Sequence, residues 1–347
     1  MHRAPARQKQ RAHGLLHQSG IADSRLLPAF FRALSDRSRE CPIVRSLRRK
    51  AARPSKSVPD GLFLNDAKDI EMITYVDAET KTRRTSGIIP LHGEAGFAGM
   101  RKAGALTAEA LDLLTEHVRP GVTTAFLDRM AYEFAMDHGA IPATLFYKGY
   151  RYSICTSINH VVCHGMPEER PLREGDIVNI DLTLIVDGWY GDSSRMYPVG
   201  EISRKAERLI EVTYESLYAG IAAARPGNTT GDIGAAIQAH AEAERTSVVR
   251  DFVGHGVGQL FHDEPNIMHF GVPGTGVELK PGMIFTIEPM INLGRPHVKI
   301  LSDGWTAVTR DRTLSAQAEH SIGITETGHE IFTLSPRGLF NPLDARK

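Results

Sequence analysis

The chain has 347 residues, 41% hydrophobic and 24% charged, with 41 basic side chains against 41 acidic ones. This composition excludes wholesale disorder. No apolar run approaches the roughly 20 residues of a membrane-spanning helix, and a neutral total gives no indication of a nucleic-acid partner. The charges are nevertheless unevenly placed: residues 1–57 hold 14 Lys or Arg and 3 Asp or Glu, leaving 27 basic and 38 acidic side chains in 58–347.

The basic opening segment is rich in Arg, Ala, Ser and Pro, and only Leu26–Leu34 has the pattern of a short amphipathic helix. Three readings stay open for residues 1–71: a disordered basic tail, a start assigned too far upstream with Met72 as a candidate start, or a targeting or ribosome-binding arm. Three cysteines, Cys41, Cys155 and Cys163, give neither a disulfide framework nor zinc-finger spacing, so a reducing compartment is expected.

Regular elements begin near Gly93. Residues 94–118 read as a helix stopped by Pro120-Gly121. Thr123 or Thr124 caps a second helix, with Leu127, Met130, Ala131, Phe134 and Ala135 on one face and Gly139 closing it. Strand-like pieces follow at 152–163 and 177–197, then helices at 203–224 and 231–243. The remainder is strand-rich, at 247–253, 283–290, 297–300, 305–309 and 318–333. Strands and paired helices recur in each half, which predicts one α+β domain with helices on one face of a mostly antiparallel sheet.

Several strands carry carboxylates where apolar residues belong. In 176–199, Asp187-Gly188 separates two β-rich runs and fits a type I′ turn. A two-residue loop there sets Asp192 opposite Thr183 and makes Asp181 its diagonal neighbour on the same face. A lone strand aspartate is ordinarily a solvated edge residue; two converging on one face of an apolar ribbon repel each other unless a cation lies between them. Glu288 in "GMIFTIEPM" and Glu319 in "SAQAEHSIGIT" repeat the anomaly, each with a salt bridge as the plain alternative. His255 stands between glycines and His262 follows seven residues later; His164 lies in "VVCHGMP". Each histidine taken alone is more often a core or surface residue than a ligand. Together, four carboxylates and a histidine make a nitrogen and oxygen donor set suited to Mn²⁺, Fe²⁺, Co²⁺ or Zn²⁺. Two such ions about 3.5–4 Å apart form the usual clamp for metal-assisted hydrolysis. No phosphate-binding glycine loop, G-x-S-x-G elbow or H-E-x-x-H helix is present.

The ordered motifs "CHGMP", "DIVNIDLTLIVDGWYGDSSRMYPVG", "GHGVGQLFHDEP", "LKPGMIFTIEPM" and "DGWTAVTRDRTLSAQAEH" resemble those of type I methionine aminopeptidases, over about four-fifths of the chain. The resemblance implies the pita-bread fold, a curved and mostly antiparallel sheet with outer helices and pseudo-twofold halves, as one catalytic domain over 72–347. It implies two divalent ions held by Asp181, Asp192, His255, Glu288 and Glu319. Asp192 and Glu319 would bridge both, Asp181 would serve one ion, and His255 and Glu288 the other. It makes His262 the oxyanion contact, His164 the group orienting the scissile amide, and Glu288 the proton shuttle. It lines a methionine pocket with Tyr147, Tyr150, Cys155, Phe261 and Trp305, although core packing remains an alternative for each. Cys155 and Cys163 read as buried thiols rather than nucleophiles.

The implied activity is removal of the initiator methionine from nascent chains with a small second residue. The expected setting is a cytoplasmic monomer in transient contact with the ribosome, with no membrane partner. Thr144 departs from the cysteine of many bacterial relatives. Residues 1–71 lack the zinc-binding cysteines of longer eukaryotic enzymes. Only 25 residues separate His262 from Glu288, too few for the helical insertion of type II enzymes. A proline-specific peptidase of the same fold is the nearest rival. Its last glutamate normally stands in an R-x-E-D-like context rather than "SAQAEH". A non-catalytic binding protein of the same fold is the other, although such relatives lose ligands that this chain keeps.

Overall fold

The structure, a computed structural model, describes residues 74–78 and 87–343. The proposed extension at 1–71, its short helix and Cys41 lie outside the described residues. No helix among the described residues is long and apolar enough to cross a membrane.

Four helices stand where the periodicity predicts them. Helix α1 (Glu94–Thr115) ends three residues early, because Glu116 caps it by donating its backbone N–H to the Leu113 and Leu114 carbonyls. Helix α2 (Thr124–Asp137) is capped by the Thr123 hydroxyl, which accepts the Phe126 N–H at 3.1 Å, and Gly139 closes it at φ 65°. Ser203 caps α3 (Arg204–Ala223), and Thr229 with Asp232 forms a reciprocal capping box on α4 (Thr230–Ala243).

The hairpin Ile177–Val186/Trp189–Pro198 has the predicted register, with Thr183 opposite Asp192 and Asp181 opposite Ser194. Asp187 and Gly188 take φ of 51° and 83°, as a type I′ turn requires. Strand side chains alternate between faces. Val178, Ile180, Leu182, Leu184 and Val186 therefore pack into a core with Leu111, Leu114 and Leu127 of α1 and α2. Asn179, Asp181 and Thr183 point to the other face, which explains polar residues in an otherwise apolar strand.

The second half repeats the plan: α3 and α4 cover a core that includes Leu209, Ile237, Phe285, Ile287, Ile291 and Ile322. Its strands are shorter than predicted. The expected strand 283–290 is Ile284–Ile287 and Met290–Asn292, broken at Glu288-Pro289, where proline offers no N–H to the ladder. The expected strand 318–333 is Ser315–Gln317, His320–Ile324 and His329–Ile331. The expected 152–163 splits into Cys155–Ile158 and Val161–Cys163, with Asn159 at φ 56° between them. Asp263–Ile267, not anticipated as a strand, pairs antiparallel with Gly254–Gly256. Pairing is antiparallel throughout the described sheets except between Thr74–Asp77 and Ile88–Leu91.

Buried polar bonds join the halves along their seam. The Ser193 hydroxyl donates to the Glu319 carbonyl at 2.8 Å, Ser321 to the Asp192 carbonyl at 2.7 Å, and the Asn179 amide to the Gln317 carbonyl at 2.9 Å. Each contributes about 1 kcal/mol when made and costs more when one partner is stranded. They lock the backbones of Asp192 and Glu319, one from each half, against each other.

Candidate metal centre and substrate cavity

Asp181, Asp192 and Glu319 each offer a carboxylate oxygen within 4.8 Å of the others. Glu288 and His255 complete the group: His255 Nε2 lies 3.6 Å from a carboxylate oxygen of Asp192 and 3.6 Å from one of Glu288. All five ligand candidates from the sequence thus converge, two from the hairpin, one from Gly254–Gly256, and Glu288 and Glu319 each from the break between two strands.

Local structure fixes each group. Gly254 and Gly256 let the strand bearing His255 run tightly between its neighbours, since a Cβ on either would press into the Thr286 or Glu264 carbonyl oxygen. His255 Nδ1 donates to the Gly256 carbonyl at 3.0 Å, which leaves the Nε2 lone pair turned toward the carboxylates. Thr183 donates its hydroxyl to Asp192 at 2.6 Å. Thr286 donates to Glu288 at 2.8 Å while accepting the His255 backbone N–H at 3.0 Å, and Gln317 donates to the second Glu288 oxygen at 3.3 Å.

The electrostatics of this cluster call for cations. Burial pushes the Asp181 carboxyl up to about 7. Asp192, Glu288 and Glu319 are raised well above their ordinary range by burial and then by one another. Among the described residues none of the four is ion-paired to a lysine or arginine; Arg195, on the same hairpin, is committed to Asp112. Burial drives His255 down to about 4, so it is a neutral donor at ordinary pH. Buried carboxylates plus a neutral imidazole, with no thiolate, fit hard or borderline divalent ions.

Above the cluster opens a cavity of about 320 Å³. It is lined by every pocket residue expected from the sequence: Tyr147, Tyr150, Cys155, His164, Phe261, His262 and Trp305. Tyr147 stacks on His262 with ring centres 5.3 Å apart and its hydroxyl is 3.1 Å from His262 Nδ1. His262 in turn lies 4.1 Å from the His255 ring. Burial of its inner edge, then His255 and Lys148, hold His262 below the ordinary imidazole value. His164 adopts φ 54°, a sparsely populated conformation for a side-chain-bearing residue, and meets Phe252 and Trp305 edge-on. Tyr150 serves both readings: it lines the cavity, yet it is buried and its hydroxyl reaches the Ile154 and Gly165 carbonyls. Cys155 and Cys163 are free, buried thiols whose ionisation burial suppresses, which agrees with a packing role.

A family model for "Metallopeptidase family M24" matches residues 98–326, a span that contains every residue named in this centre. The chain belongs to that family. A methionine aminopeptidase of Rickettsia prowazekii is 58% identical over 256 residues, covering 73% of this chain and 98% of the relative. That of Escherichia coli K12 is 50% identical over 237 residues, covering 68% and 90%. The crystal structure of methionine aminopeptidase from R. prowazekii superposes with a TM-score of 0.71 at 57% identity, covering 71% of this chain and all of that one. The M24 chain is therefore a metal-dependent peptidase with the pita-bread architecture that the motifs implied, and divalent ions are its cofactors.

Lys148, Asp251, Phe252, Val253 and Met290 also line the M24 cavity and were missed from the sequence, where nothing in their local pattern marks them as cavity residues. His269 was missed too. It is buried behind Glu288 and accepts the Glu288 backbone N–H at Nε2, 3.1 Å away, while its Nδ1 has no partner among the described residues.

Proposed function

We propose that this chain removes the N-terminal methionine of polypeptides whose second residue is small, using two divalent ions to hydrolyse the first peptide bond. The observation that carries the reading is the convergence of Asp181, Asp192, Glu319, Glu288 and His255 beneath a narrow cavity walled by aromatic rings and a thiol. The named relatives supply the substrate. Asp192, Glu319, Asp181, Glu288 and His255 would hold the ions, with Asp192 and Glu319 shared between them. Bound there, the ions supply a water acidic enough to attack near neutral pH and polarise the substrate carbonyl.

The chain's own groups do the rest. Tyr147, Tyr150, Cys155, Phe261 and Trp305 enclose the unbranched methionine side chain, whose polarizable sulfur suits aromatic and thiol neighbours. His262 donates to the oxygen that gains charge as the carbonyl becomes tetrahedral, and its contact with the Tyr147 hydroxyl sets its orientation. His164, held by Phe252 and Trp305, orients the scissile amide. Glu288 carries a proton from the attacking water to the leaving amine. Its place at the cavity floor, with one oxygen accepting from Thr286 and the other from Gln317, supports that role. Reduced, unpaired Cys155 and Cys163 accord with a cytoplasmic setting, where emerging chains are the natural substrates.

The test is hydrolysis of Met-Ala-Ser and of Ala-Pro by the full chain supplied in turn with Mn²⁺, Fe²⁺, Co²⁺ and Zn²⁺. Release of methionine alone is expected. Cleavage of Ala-Pro alone would place the chain on the proline-specific branch of the family, and inertness toward both with metal bound would make it a binding protein.

A further inference from the structure

Among the described residues lining the cavity, Lys148 is the sole lysine or arginine. Its backbone is held in an uncommon shape: Phe146, Lys148 and Gly149 have φ of 66°, 45° and 88°. Left-handed conformations at non-glycine residues are unfavourable and persist only where the surroundings impose them. Here Phe146 N–H donates to the Tyr150 carbonyl at 2.7 Å, Tyr147 N–H to Thr144 at 2.9 Å, and Tyr150 N–H to Tyr147 at 2.9 Å. The loop so closed leaves Phe146 76% exposed and Lys148 exposed at the cavity rim. No ion pair in the described structure engages Lys148; its ammonium stands 5.1 Å from the Tyr147 ring centre.

From there a stack of side chains descends to the carboxylates. Tyr147 lies 5.3 Å from His262, His262 lies 4.1 Å from His255, and His255 lies 3.6 Å from Asp192 and Glu288. A substrate held by its amino end at the floor climbs by about 3.5 Å per residue when extended. The part of the substrate beyond its second residue therefore runs toward the rim that carries Lys148. Asp251, the other exposed charged side chain on the cavity wall besides the histidine edge, adjoins Phe252 on the His164 side.

We propose that Lys148 is a specificity-determining residue that favours polypeptides with acidic side chains shortly after the second position. The inference rests on the aminopeptidase reading above and adds to it a class of preferred substrate. Because the pair is exposed, the effect is modest and screened by salt, about a two- to fivefold preference at low ionic strength.

The experiment compares kcat/KM for Met-Ala-Asp-Asp-Ser-Gly and Met-Ala-Lys-Lys-Ser-Gly, with the metal-loaded full chain at low and at high salt. The unaltered enzyme and Lys148→Arg should prefer the acidic peptide, mainly through KM, and lose the preference at high salt. Lys148→Glu should invert it. All three side chains sit on the same left-handed backbone, so the ratio between peptides isolates charge from loop strain. Methionine released from both peptides with a ratio near one, or a ratio that Lys148→Glu does not move, overturns the role of Lys148 alone. Release from neither peptide with metal bound overturns that role together with the aminopeptidase reading.

Discussion

The floor of the cavity and its rim are built by opposite means. The floor residues sit on or beside hydrogen-bonded strands, and three of them are tied by a neighbour: Asp192 by Thr183, Glu288 by Thr286 and Gln317, and His255 by the Gly256 carbonyl. The rim residues Tyr147, Lys148 and His262 stand on a single 3-10 turn and a connecting segment, meet through the Tyr147 ring, and reach solvent. A cluster of like charges must be imposed by a rigid scaffold, because it opposes its own assembly without cations. Groups that grip a variable polypeptide do not need that scaffold. Substitutions on the floor should therefore abolish chemistry and metal binding together, whereas those on the rim should separate the two.

The sharpest test of this contrast is Asp192→Asn. It keeps the shape but removes a charge expected to serve both ions. Since metal activation is worth several kcal/mol, turnover should fall by about 10³-fold or more, with metal content falling in parallel. Near-normal turnover with two bound metals, by elemental analysis, would break the assignment. On the rim, His262→Ala should lower kcat by about 10²–10³-fold, the scale of losing one oxyanion donor. Metal content should stay unchanged. Should metal be lost as well, His262 belongs to the floor and its role is misassigned.

The buried wall behind the floor gives an intermediate case. His269→Ala leaves the Glu288 N–H without its acceptor in a dry site. Supporting bonds of this kind typically cost 10–100-fold in metal affinity or activity when removed. His269→Asn, which can still offer an acceptor, should recover much of the loss. A purely packing role for His269 would instead predict lower thermal stability with equal metal affinity in both variants.

The floor was legible in the sequence and much of the rim was not, for reasons that lie in the same construction. Aspartate in a long apolar hairpin contradicts strand preference, so Asp181 and Asp192 stand out, and an Asp-Gly turn sets a register that the structure reproduces pair by pair. Glu288 is visible in its apolar run, but the strand break after it depends on Pro289 and on how Met290–Asn292 then pairs with 315–317. Lys148 and Asp251 carry no such contradiction. A charged loop residue is ordinary until the fold places it on a cavity wall. His269 is ordinary in the opposite sense, since only the approach of Glu288 from 19 residues away distinguishes it from a core histidine. Cys155 and the two tyrosines, named from the resemblance, do line the cavity, while Tyr150 packs as a core residue too.

The smallest expected effect follows from protons that the floor retains without metal. Burial raises the Asp181 carboxyl to about 7, and burial, then the neighbouring carboxylates, raise Asp192, Glu288 and Glu319 well above their ordinary values. A raised carboxylate binds its proton more tightly folded than unfolded. Its contribution to stability is therefore complete below its unfolded value and is lost as pH rises from about 4 toward 7. Buried His255, lowered to about 4, acts in the reverse sense, gaining as pH rises through the range between about 4 and 6.5, so the melting temperature of the metal-free protein alone is a poor reporter. The rise in melting temperature on adding Mn²⁺ is a cleaner one. Histidines that do not meet the metal cancel between the two conditions, and His255 is already neutral above pH 5. Incoming metal must displace the carboxyl protons, so its apparent affinity should climb by up to about tenfold per pH unit for each displaced proton. The Mn²⁺-induced shift should grow between pH 5 and 7, as the Asp181 carboxyl loses its proton. A shift that is flat across pH 5–8 would mean that the floor already carries its full negative charge without metal. The four buried carboxylates would then need a compensating partner other than divalent ions.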